Sequence, residues 1–261
     1  MTAPGHDGPA VSAQIFRLDD CVALVTGTST GLGERFARVL DAAGAAVVLA
    51  ARRAEPSVAL AASLRDALPV TCDVRRDADR AALVAAALKR YGRIDVLVNN
   101  AGIAHAGPAE DEDLDTVRDL LDTNTVGLFA LTQLVARHML DRGRGSIVNI
   151  ASPSATTSLD RYGLAGYAAS KGAVLALTRE LAAQWAGRGV RVNALSPCFF
   201  PSNTTGWLTD PDQVAWINNR APIGRPPRAD ELDGPLLFLA SDASSYVTGQ
   251  NLIVDGGWTT R

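Results

Sequence analysis

The amino-acid sequence predicts an α/β fold, a single domain with a doubly wound parallel sheet of about seven strands flanked by helices. Short apolar runs alternate along the chain with longer segments of helical periodicity, which is the pattern of βα units. The apolar runs are continuous, as expected of parallel strands that are buried on both faces. No linker interrupts the pattern, so we predict one domain over residues 18–261.

The predicted elements follow one another in regular order. Residues 21–26 form the first strand, and a glycine-rich turn leads from it into a helix over 31–43, which Gly44 ends as a left-handed cap. Later elements are assigned in the same way, with short apolar runs as strands and longer periodic segments as helices. The further strands are 45–51, 70–72, 94–98, 146–151, 190–195 and 252–254, and the further helices are 57–68, 78–91, 111–122, 125–141, 166–185 and 229–241.

The composition argues against several classes of protein. A formal net charge of −3 gives no electrostatic basis for binding nucleic acid or an anionic membrane. No uninterrupted apolar run approaches the roughly 18 residues of a membrane-spanning helix. The cysteines Cys21, Cys72 and Cys198 are scattered and form no Cys-x-x-Cys pair, which argues against a disulfide framework and a zinc site. Residues 1–17 lack the features of a signal peptide, so we predict a disordered leader on a soluble cytoplasmic protein without a metal.

A glycine-rich turn directly follows the first predicted strand and opens the first helix. It reads Thr26-Gly27-Thr28-Ser29-Thr30-Gly31-Leu32-Gly33. Glycine is needed where the backbone takes positive φ or approaches a pyrophosphate closely, and a helix start adds free N–H groups and partial positive charge. A bare packing turn is the alternative. The strand–turn–helix context favours a dinucleotide site and, with it, a Rossmann-type fold.

The end of the second predicted strand indicates which cofactor is preferred. A dinucleotide fold that selects NAD usually carries an acid there for the ribose 2′-hydroxyl, whereas a 2′-phosphate requires an arginine. The chain has Arg52 and Arg53 at this point and no acid. We therefore expect NADP(H) to be favoured. NAD(H) is possible if the two arginines are only surface residues, because the turn adds no further basic group.

Tyr167 and Lys171 lie four residues apart on a predicted helix and therefore share one face. Lys171 is one of two lysines, with Lys89, in a chain that otherwise uses arginine. A cation ~4 Å from a phenol, at an effective dielectric of about 20, lowers the phenol pKa by about three units, from ~10 to near 7. Such a phenol exchanges protons near neutral pH. By itself the pattern also fits an exposed tyrosine beside a solvated lysine.

Over residues 18–258 a series of motifs resembles the short-chain dehydrogenase/reductase family. The motifs are Thr26-Gly27-x-x-x-Gly31-x-Gly33, Asn99-Asn100-Ala101-Gly102, Asn124, Ser152, Tyr167-x-x-x-Lys171, Asn193 with Pro197, and Val254-Asp255-Gly256-Gly257. Each motif alone is unspecific, but their order and spacing are typical of the family. Residues 216–225 resemble its gluconate 5-dehydrogenase-like branch, which acts on sugar acids and polyols.

The resemblance implies a role for each matched residue. Tyr167 would be the general acid/base, and Lys171 would lower its pKa and hold the nicotinamide ribose. Ser152 would stabilise the substrate oxygen, and Asn124 would hold a water that relays protons towards Lys171. The implied cofactor-binding residues are Gly27, Ser29, Thr30, Gly31, Leu32, Gly33, Arg52, Arg53, Asp73, Val74, Asn100, Ala101, Gly102, Tyr167, Lys171, Pro197, Phe200 and Ser202.

Other readings of the same residues remain open. Ser154 competes with Ser152 as the reactive hydroxyl, and Tyr162 competes with Tyr167, although Gly166 stands where the lysine of Tyr162 would be. Cys198 follows Pro197 where the family usually has glycine. It either packs inertly, narrows the pocket or acts as an oxidation-sensitive thiol.

We therefore expect an NAD(P)(H)-dependent oxidoreductase that interconverts a secondary alcohol and a ketone. The resemblance also implies a homotetramer assembled through the helices at 130–141 and 166–185. The alternatives are a non-catalytic dinucleotide sensor that regulates a partner, and a dehydratase or epimerase that uses a bound cofactor.

We expect the residues that select the small-molecule substrate to lie in segments whose conformation the sheet does not determine. These segments are 103–109, 153–166 and 199–220. The last of these carries several aromatic residues and is predicted to be a mobile lid. His105, Arg161 and Arg220 are candidates for binding a substrate carboxylate, with simple solvation in loops as the alternative.

Overall fold

Seven strands lie side by side and parallel in the computed structural model, which describes residues 13–159, 161–201 and 210–260. In chain order they are β1 (Val22–Thr26), β2 (Ala46–Ala51), β3 (Ala67–Thr71), β4 (Val96–Asn99), β5 (Gly145–Ile150), β6 (Val190–Pro197) and β7 (Asn251–Val254). Their order across the sheet is β3-β2-β1-β4-β5-β6-β7. The predicted doubly wound parallel sheet is therefore confirmed.

Helices cover both faces of this sheet. They are α1 (Gly31–Ala42), α2 (Ala54–Ala61), α3 (Asp77–Tyr91), α4 (Leu114–Leu121), α5 (Leu128–Arg142), α6 (Ala165–Trp185), α7 (Pro211–Arg220) and α8 (Asp233–Ala240). Within the ranges that the structure describes, no helix has both the length and the apolar character needed to cross a membrane.

Two apolar layers pack the helices against the sheet. Successive strand residues point to opposite faces, so Val25 lies in the layer formed with α1 and α8, whereas Leu24 lies in the layer formed with α3, α5 and α6. Phe36 is fully buried in the first layer and Leu83 in the second. The sheet is therefore covered by apolar side chains on both faces, and polar residues are expected mainly at the ends of its strands.

The segment after β2 differs from the prediction. The expected helix over 57–68 instead begins at Ala54 and ends at Ala61, and the expected strand over 70–72 begins at Ala67. Proline disfavours helical backbone in the residue before it, so Pro69 excludes Leu68 from a helix. Because β3 is at the edge of the sheet, a proline without an N–H is tolerated in it.

Two differences concern the last third of the chain. No helix is predicted at 211–220, where the structure has α7. The signal for it is present, because the Asp210 side chain caps the helix by accepting from the Asp212 N–H at 3.0 Å, and Pro211 occupies the first turn. The helix predicted over 229–241 is divided into a 3₁₀ helix, Ala229–Leu232, and α8.

Part of the segment predicted as a disordered leader has regular structure. Ala13–Phe16 form a 3₁₀ helix, and the Leu18 N–H donates to the Ala43 carbonyl at 2.9 Å, which ties this segment to the end of α1. Leu18 itself is buried in the first apolar layer. Residues 1–12 of the predicted leader lie outside the described residues.

Candidate active site

A cleft of about 900 Å³ opens at the carboxyl ends of the strands. The strand order reverses between β1 and β4, and doubly wound sheets bind their ligands at this point. The predicted cofactor residue Ser202 lies outside the described residues. The other predicted cofactor residues all line the cleft: Gly27, Ser29, Thr30, Gly31, Leu32, Gly33, Arg52, Arg53, Asp73, Val74, Asn100, Ala101, Gly102, Tyr167, Lys171, Pro197 and Phe200.

The glycine-rich turn forms one wall of the cleft. Gly27 and Gly31 have φ angles of 74° and 64°, in the left-handed region that favours glycine. A Cβ on Gly33 would lie 2.2 Å from the Gly27 carbonyl oxygen, so only glycine allows the turn to close onto α1. Asn100 Nδ2 donates to the Thr26 carbonyl at 2.8 Å and holds the turn against the end of β4. The first N–H groups of α1, which lack partners inside the helix, lie at this wall.

One end of the cleft is cationic. Arg52 and Arg53 are exposed side chains at the end of β2, and Arg53 Nη2 donates to the Ser29 hydroxyl at 3.4 Å. Arg75, which is not among the predicted cofactor residues, also lines this end and donates to the Asp73 carboxylate at 2.8 Å. This guanidinium, aided by the charge of Arg52, lowers the pKa of Asp73 despite its partial burial. The signal in the sequence is the pair Arg75-Arg76 directly after Asp73-Val74.

Asn124 lies behind the cleft, in a π-helix, Asp122–Gly127, that joins α4 to α5. Such segments are rare and often occur at functional sites. The Asn124 side chain is fully buried and exchanges two hydrogen bonds of 2.9 Å with the backbone of Ile103. Its Nδ2 also donates to the Ser170 hydroxyl at 3.0 Å. Asn124 therefore ties the strand-end loop after β4 to the residue that precedes Lys171.

Lys171 is buried on α6, and its Nζ donates to the Ile150 carbonyl oxygen at 2.8 Å. Burial lowers the pKa of Lys171 to about 8, because the interior penalises the charged form. An ammonium group has three donors, and the other two have no partner in the part of the chain that the structure describes. Lys171 also lines the cleft, so these two N–H donors are available to a ligand bound there.

Tyr167 lines the same cleft one turn before Lys171. Burial raises the pKa of its phenol above the ordinary value, and the neighbouring Ser152 hydroxyl opposes part of this rise. The expectation that Lys171 brings this pKa near 7 is wrong for this structure. Lys171 Nζ lies 5.8 Å from the centre of the Tyr167 ring and donates to Ile150. Burial is therefore the main cause of the raised pKa of Tyr167, and the phenol is protonated at neutral pH.

The rival hydroxyl groups occupy different places. Ser152 lines the cleft, whereas Ser154 lies behind it and donates to the Ser152 Oγ at 2.9 Å. Tyr162 also lines the cleft, but its hydroxyl donates to Gln213 Oε1 on α7 at 2.8 Å. The geometry thus places Ser152 beside Tyr167 and directs Tyr162 towards the segment predicted as a lid.

The other end of the cleft carries fewer charged groups than expected. Of the three candidates for a substrate carboxylate, His105 lines the cleft. The Arg161 guanidinium instead lies 5.6 Å from the centre of the Trp216 ring, and that of Arg220 lies 5.0 Å from the Trp258 ring. Both arginines are thus directed onto aromatic rings, with the geometry of a cation–π interaction.

Cys198 lies beneath this end of the cleft and is buried. It packs in a cluster of apolar side chains with Ile217 of α7 and Trp258. Burial raises the pKa of the Cys198 thiol, so the reactive thiolate is disfavoured. The surroundings of Cys198 favour inert packing over an oxidation-sensitive thiol.

A family profile and several characterised dehydrogenases match this chain over nearly its full length. A family profile described as enoyl-(acyl carrier protein) reductase matches residues 27–259. The D-threitol dehydrogenase of Mycolicibacterium smegmatis is 40% identical over 257 residues, covering 94% of this chain and 95% of that protein. The gluconate 5-dehydrogenase of Gluconobacter oxydans is 41% identical over 250 residues, covering 94% of this chain and 97% of that protein.

The fold has similar solved relatives. The structure of a gluconate 5-dehydrogenase from Burkholderia cenocepacia J2315, in complex with NADP and tartrate, superposes with a TM-score of 0.90. It is 41% identical in sequence and covers 95% of this chain and 98% of its own. None of these relatives supports the alternative of a non-catalytic sensor or of a dehydratase or epimerase.

Proposed function

Since the chain belongs to the short-chain dehydrogenase/reductase family, we propose that proton transfer at Tyr167 accompanies its reaction. The chain is an NAD(P)(H)-dependent oxidoreductase that interconverts a secondary alcohol and a ketone. The observation that carries the proposal is the meeting of Tyr167, Ser152 and Lys171 in the cleft that also contains the glycine-rich turn. Groups for proton transfer and for dinucleotide binding thus share one space.

The residues of the cleft fit a bound dinucleotide. The backbone of the turn at 27–33 and the start of α1 offer N–H groups to the phosphates, and Asn100, Ala101 and Gly102 line the middle of the cleft. Two of the three donors of the buried Lys171 ammonium have no partner among the described residues, and these two suit ribose hydroxyl groups. When bound, the nicotinamide supplies the hydride donor or acceptor of the reaction.

The protein residues then handle the proton. Because burial keeps the Tyr167 phenol protonated, it is suited to donate its proton to a ketone oxygen as hydride reaches the carbonyl carbon. In the reverse direction the phenolate form of Tyr167 accepts the proton of the alcohol and becomes the neutral phenol again. The Ser152 hydroxyl hydrogen-bonds the substrate oxygen and stabilises its developing charge. Asn124 lies behind the cleft, and its hydrogen bonds to Ile103 and Ser170 hold the loop after β4 against the helix that carries Tyr167 and Lys171.

We assign NADP(H) as the preferred cofactor. Arg52 and Arg53 at the end of β2 provide the guanidinium groups that a ribose 2′-phosphate requires, and Arg75 adds positive charge nearby. The solved relative from Burkholderia cenocepacia J2315 contains NADP, which agrees with this preference.

The proposed substrates are polyols or sugar acids with a secondary alcohol. The names of the relatives, a threitol dehydrogenase and gluconate 5-dehydrogenases, indicate this class. At the substrate end of the cleft, polar groups of Ser152, Tyr162 and His105 lie among the apolar side chains of Leu159, Leu164 and Phe199. Such a surface offers hydrogen bonds to hydroxyl groups together with apolar contacts for the carbon chain.

We also propose that the protein assembles as a homotetramer in the cytoplasm. A shallow, largely apolar groove of about 500 Å³ lies between α6, one of the helices implied in assembly, and residues 125–129 that lead into α5, and Val126 within it is 56% exposed. An exposed apolar groove of this kind suits contact with another copy. The three cysteines are all free thiols, as expected in a reducing compartment.

A screen of substrates with both cofactors tests the proposal. Threitol, galactitol and gluconate are each offered with NADP⁺ and with NAD⁺, and the reduced nicotinamide is followed by its absorbance. We expect turnover with at least one of them and a higher kcat/KM with NADP⁺. Absence of reduced nicotinamide with every pair, for a protein that binds NADP⁺, would refute the proposed substrate class.

A further inference from the structure

The carboxylate of Glu112 reaches the first turn of the helix that carries Tyr167. Glu112 Oε2 accepts a hydrogen bond of 2.9 Å from the Gly166 N–H. Gly166 is the second residue of α6, and the residue before the helix, Leu164, makes no side-chain cap. The first N–H groups of a helix lack partners inside it, and the positive end of the helix dipole attracts a carboxylate. Glu112 is therefore a cap supplied from a distant part of the chain.

The contact is tight and depends on glycine. A Cβ on Gly166 would lie 2.8 Å from Glu112 Oε1 and 3.1 Å from Leu120 Cδ1. Among the described residues, Glu112 Oε1 is buried without a hydrogen-bond partner. Keeping that oxygen from water costs free energy, and the bond of its partner oxygen to the helix start offsets that cost.

A second bond joins the same two segments. The Gly107 N–H donates to the Gly163 carbonyl at 2.8 Å, and a Cβ on Gly163 would lie 1.8 Å from the Gly107 oxygen. The two bonds, Gly107 to Gly163 and Glu112 to Gly166, form what we call the clasp. The clasp joins the loop whose residues Ala104, His105 and Ala106 line the cleft to the turn that precedes Tyr167.

We propose that Glu112 is a positioning residue for Tyr167. Tyr167 directly follows Gly166, so a carboxylate that holds the Gly166 N–H fixes the start of α6 and the direction in which the phenol leaves it. Ser152, whose hydroxyl neighbours the phenol, follows β5 and is not part of α6. Loss of the bond from Gly166 to Glu112 therefore shifts the phenol relative to Ser152 and to a substrate oxygen held beside it. This inference rests on the proposed role of Tyr167.

Three variants test the positioning role. Glu112→Ala should lower kcat for ketone reduction by about tenfold to a hundredfold, because a misplacement near 1 Å costs that much. Its affinity for NADPH, measured by fluorescence titration, should stay within about twofold of the original, since the turn at 27–33 is not touched. Glu112→Gln keeps an acceptor oxygen and should recover most of kcat. Glu110→Ala removes an exposed carboxylate two residues away and should leave kcat unchanged.

A further readout separates positioning from simple destabilisation. If proton transfer through Tyr167 becomes slower, the solvent deuterium isotope effect on kcat should rise in Glu112→Ala. Partial unfolding lowers the amount of active enzyme but leaves that isotope effect unchanged. Gly166→Ala should reduce kcat by collision with the carboxylate, and the reduction should be smaller when Glu112→Ala is already present.

The possible results distinguish this inference from the proposed function. If Tyr167→Phe is inactive while Glu112→Ala keeps the original kcat and isotope effect, the positioning role is wrong and the proposed function stands. A fall in kcat with an unchanged isotope effect also overturns the positioning role. If Tyr167→Phe keeps its activity, both the proposed proton transfer at Tyr167 and the positioning role of Glu112 are wrong.

Discussion

Lys171 Nζ donates a hydrogen bond of 2.8 Å to the carbonyl oxygen of Ile150, the last residue of β5. Ser152 follows Ile150 by two residues, and Tyr167 precedes Lys171 by one helical turn. One buried ammonium group thus joins the helix that carries the phenol to the strand that delivers the serine. This bond also explains why the ammonium stands 5.8 Å from the centre of the Tyr167 ring.

Replacing Lys171 with Met should change how stability depends on pH. Burial lowers the pKa of Lys171 from 10.5 to about 8. The penalty for burying the charge is complete below about pH 8 and disappears as the pH rises towards 10.5, because the unfolded chain binds one more proton in that window. The unfolding free energy of the original protein should therefore rise relative to Lys171→Met by about 3 kcal/mol. Urea unfolding of both proteins at pH 7 and pH 10 measures this, and a difference that is the same at both pH values contradicts it.

Tyr167→Phe should lower kcat by about a hundredfold to ten thousandfold, because it removes the proposed proton donor. The affinity for the cofactor should be nearly unchanged, since the aromatic ring remains and the glycine-rich turn at 27–33 is not altered. Tyr162→Phe is the matched control, because it removes a phenol from the same cleft whose hydroxyl donates to Gln213. Single-turnover measurement of NADPH oxidation compares the two variants. Greater loss in Tyr162→Phe than in Tyr167→Phe would reverse the assignment.

Arg52→Asp should shift the cofactor preference towards NAD. A charge-assisted hydrogen bond is worth about 1.5–3 kcal/mol, so the ratio of kcat/KM for NADP to that for NAD should fall by about tenfold to a hundredfold. Arg76→Asp makes the same change of charge at an exposed residue that does not line the cleft, and should leave the ratio unchanged. Equal ratios in Arg52→Asp and the original protein would show that Arg52 does not bind the phosphate.

Val126→Asp should weaken the proposed tetramer. Val126 is 56% exposed in the groove between α6 and the start of α5, so a charge there is tolerated in a single chain but is costly when buried between copies. Val58 on α2, which is 55% exposed, gives a control with the same substitution and almost the same exposure. Sedimentation velocity should show smaller species for Val126→Asp alone. Identical sedimentation of both variants and the original protein would exclude assembly through this groove.

Much of the fold and of the cleft could be predicted because their signals are local. The turn at 27–33 follows a strand and opens a helix, and the polar residues Asn100 and Ser152 come directly after apolar runs. In a parallel sheet, such strand ends must meet at one edge, so nearly all the predicted cofactor residues meet in one cleft. Where a local signal was overlooked, as with Asp210 and Pro211 before α7, the prediction missed an element.

The order of motifs along the sequence by itself determined the doubly wound sheet and the edge at which its polar residues gather, because strand and turn patterns act over a few residues. Only the tertiary structure decided that burial raises the pKa of Tyr167. It likewise decided that Arg161 and Arg220 stack on tryptophan rings and that Glu112 caps α6. These properties depend on burial and on contacts between residues far apart in the chain, so no spacing in the sequence records them.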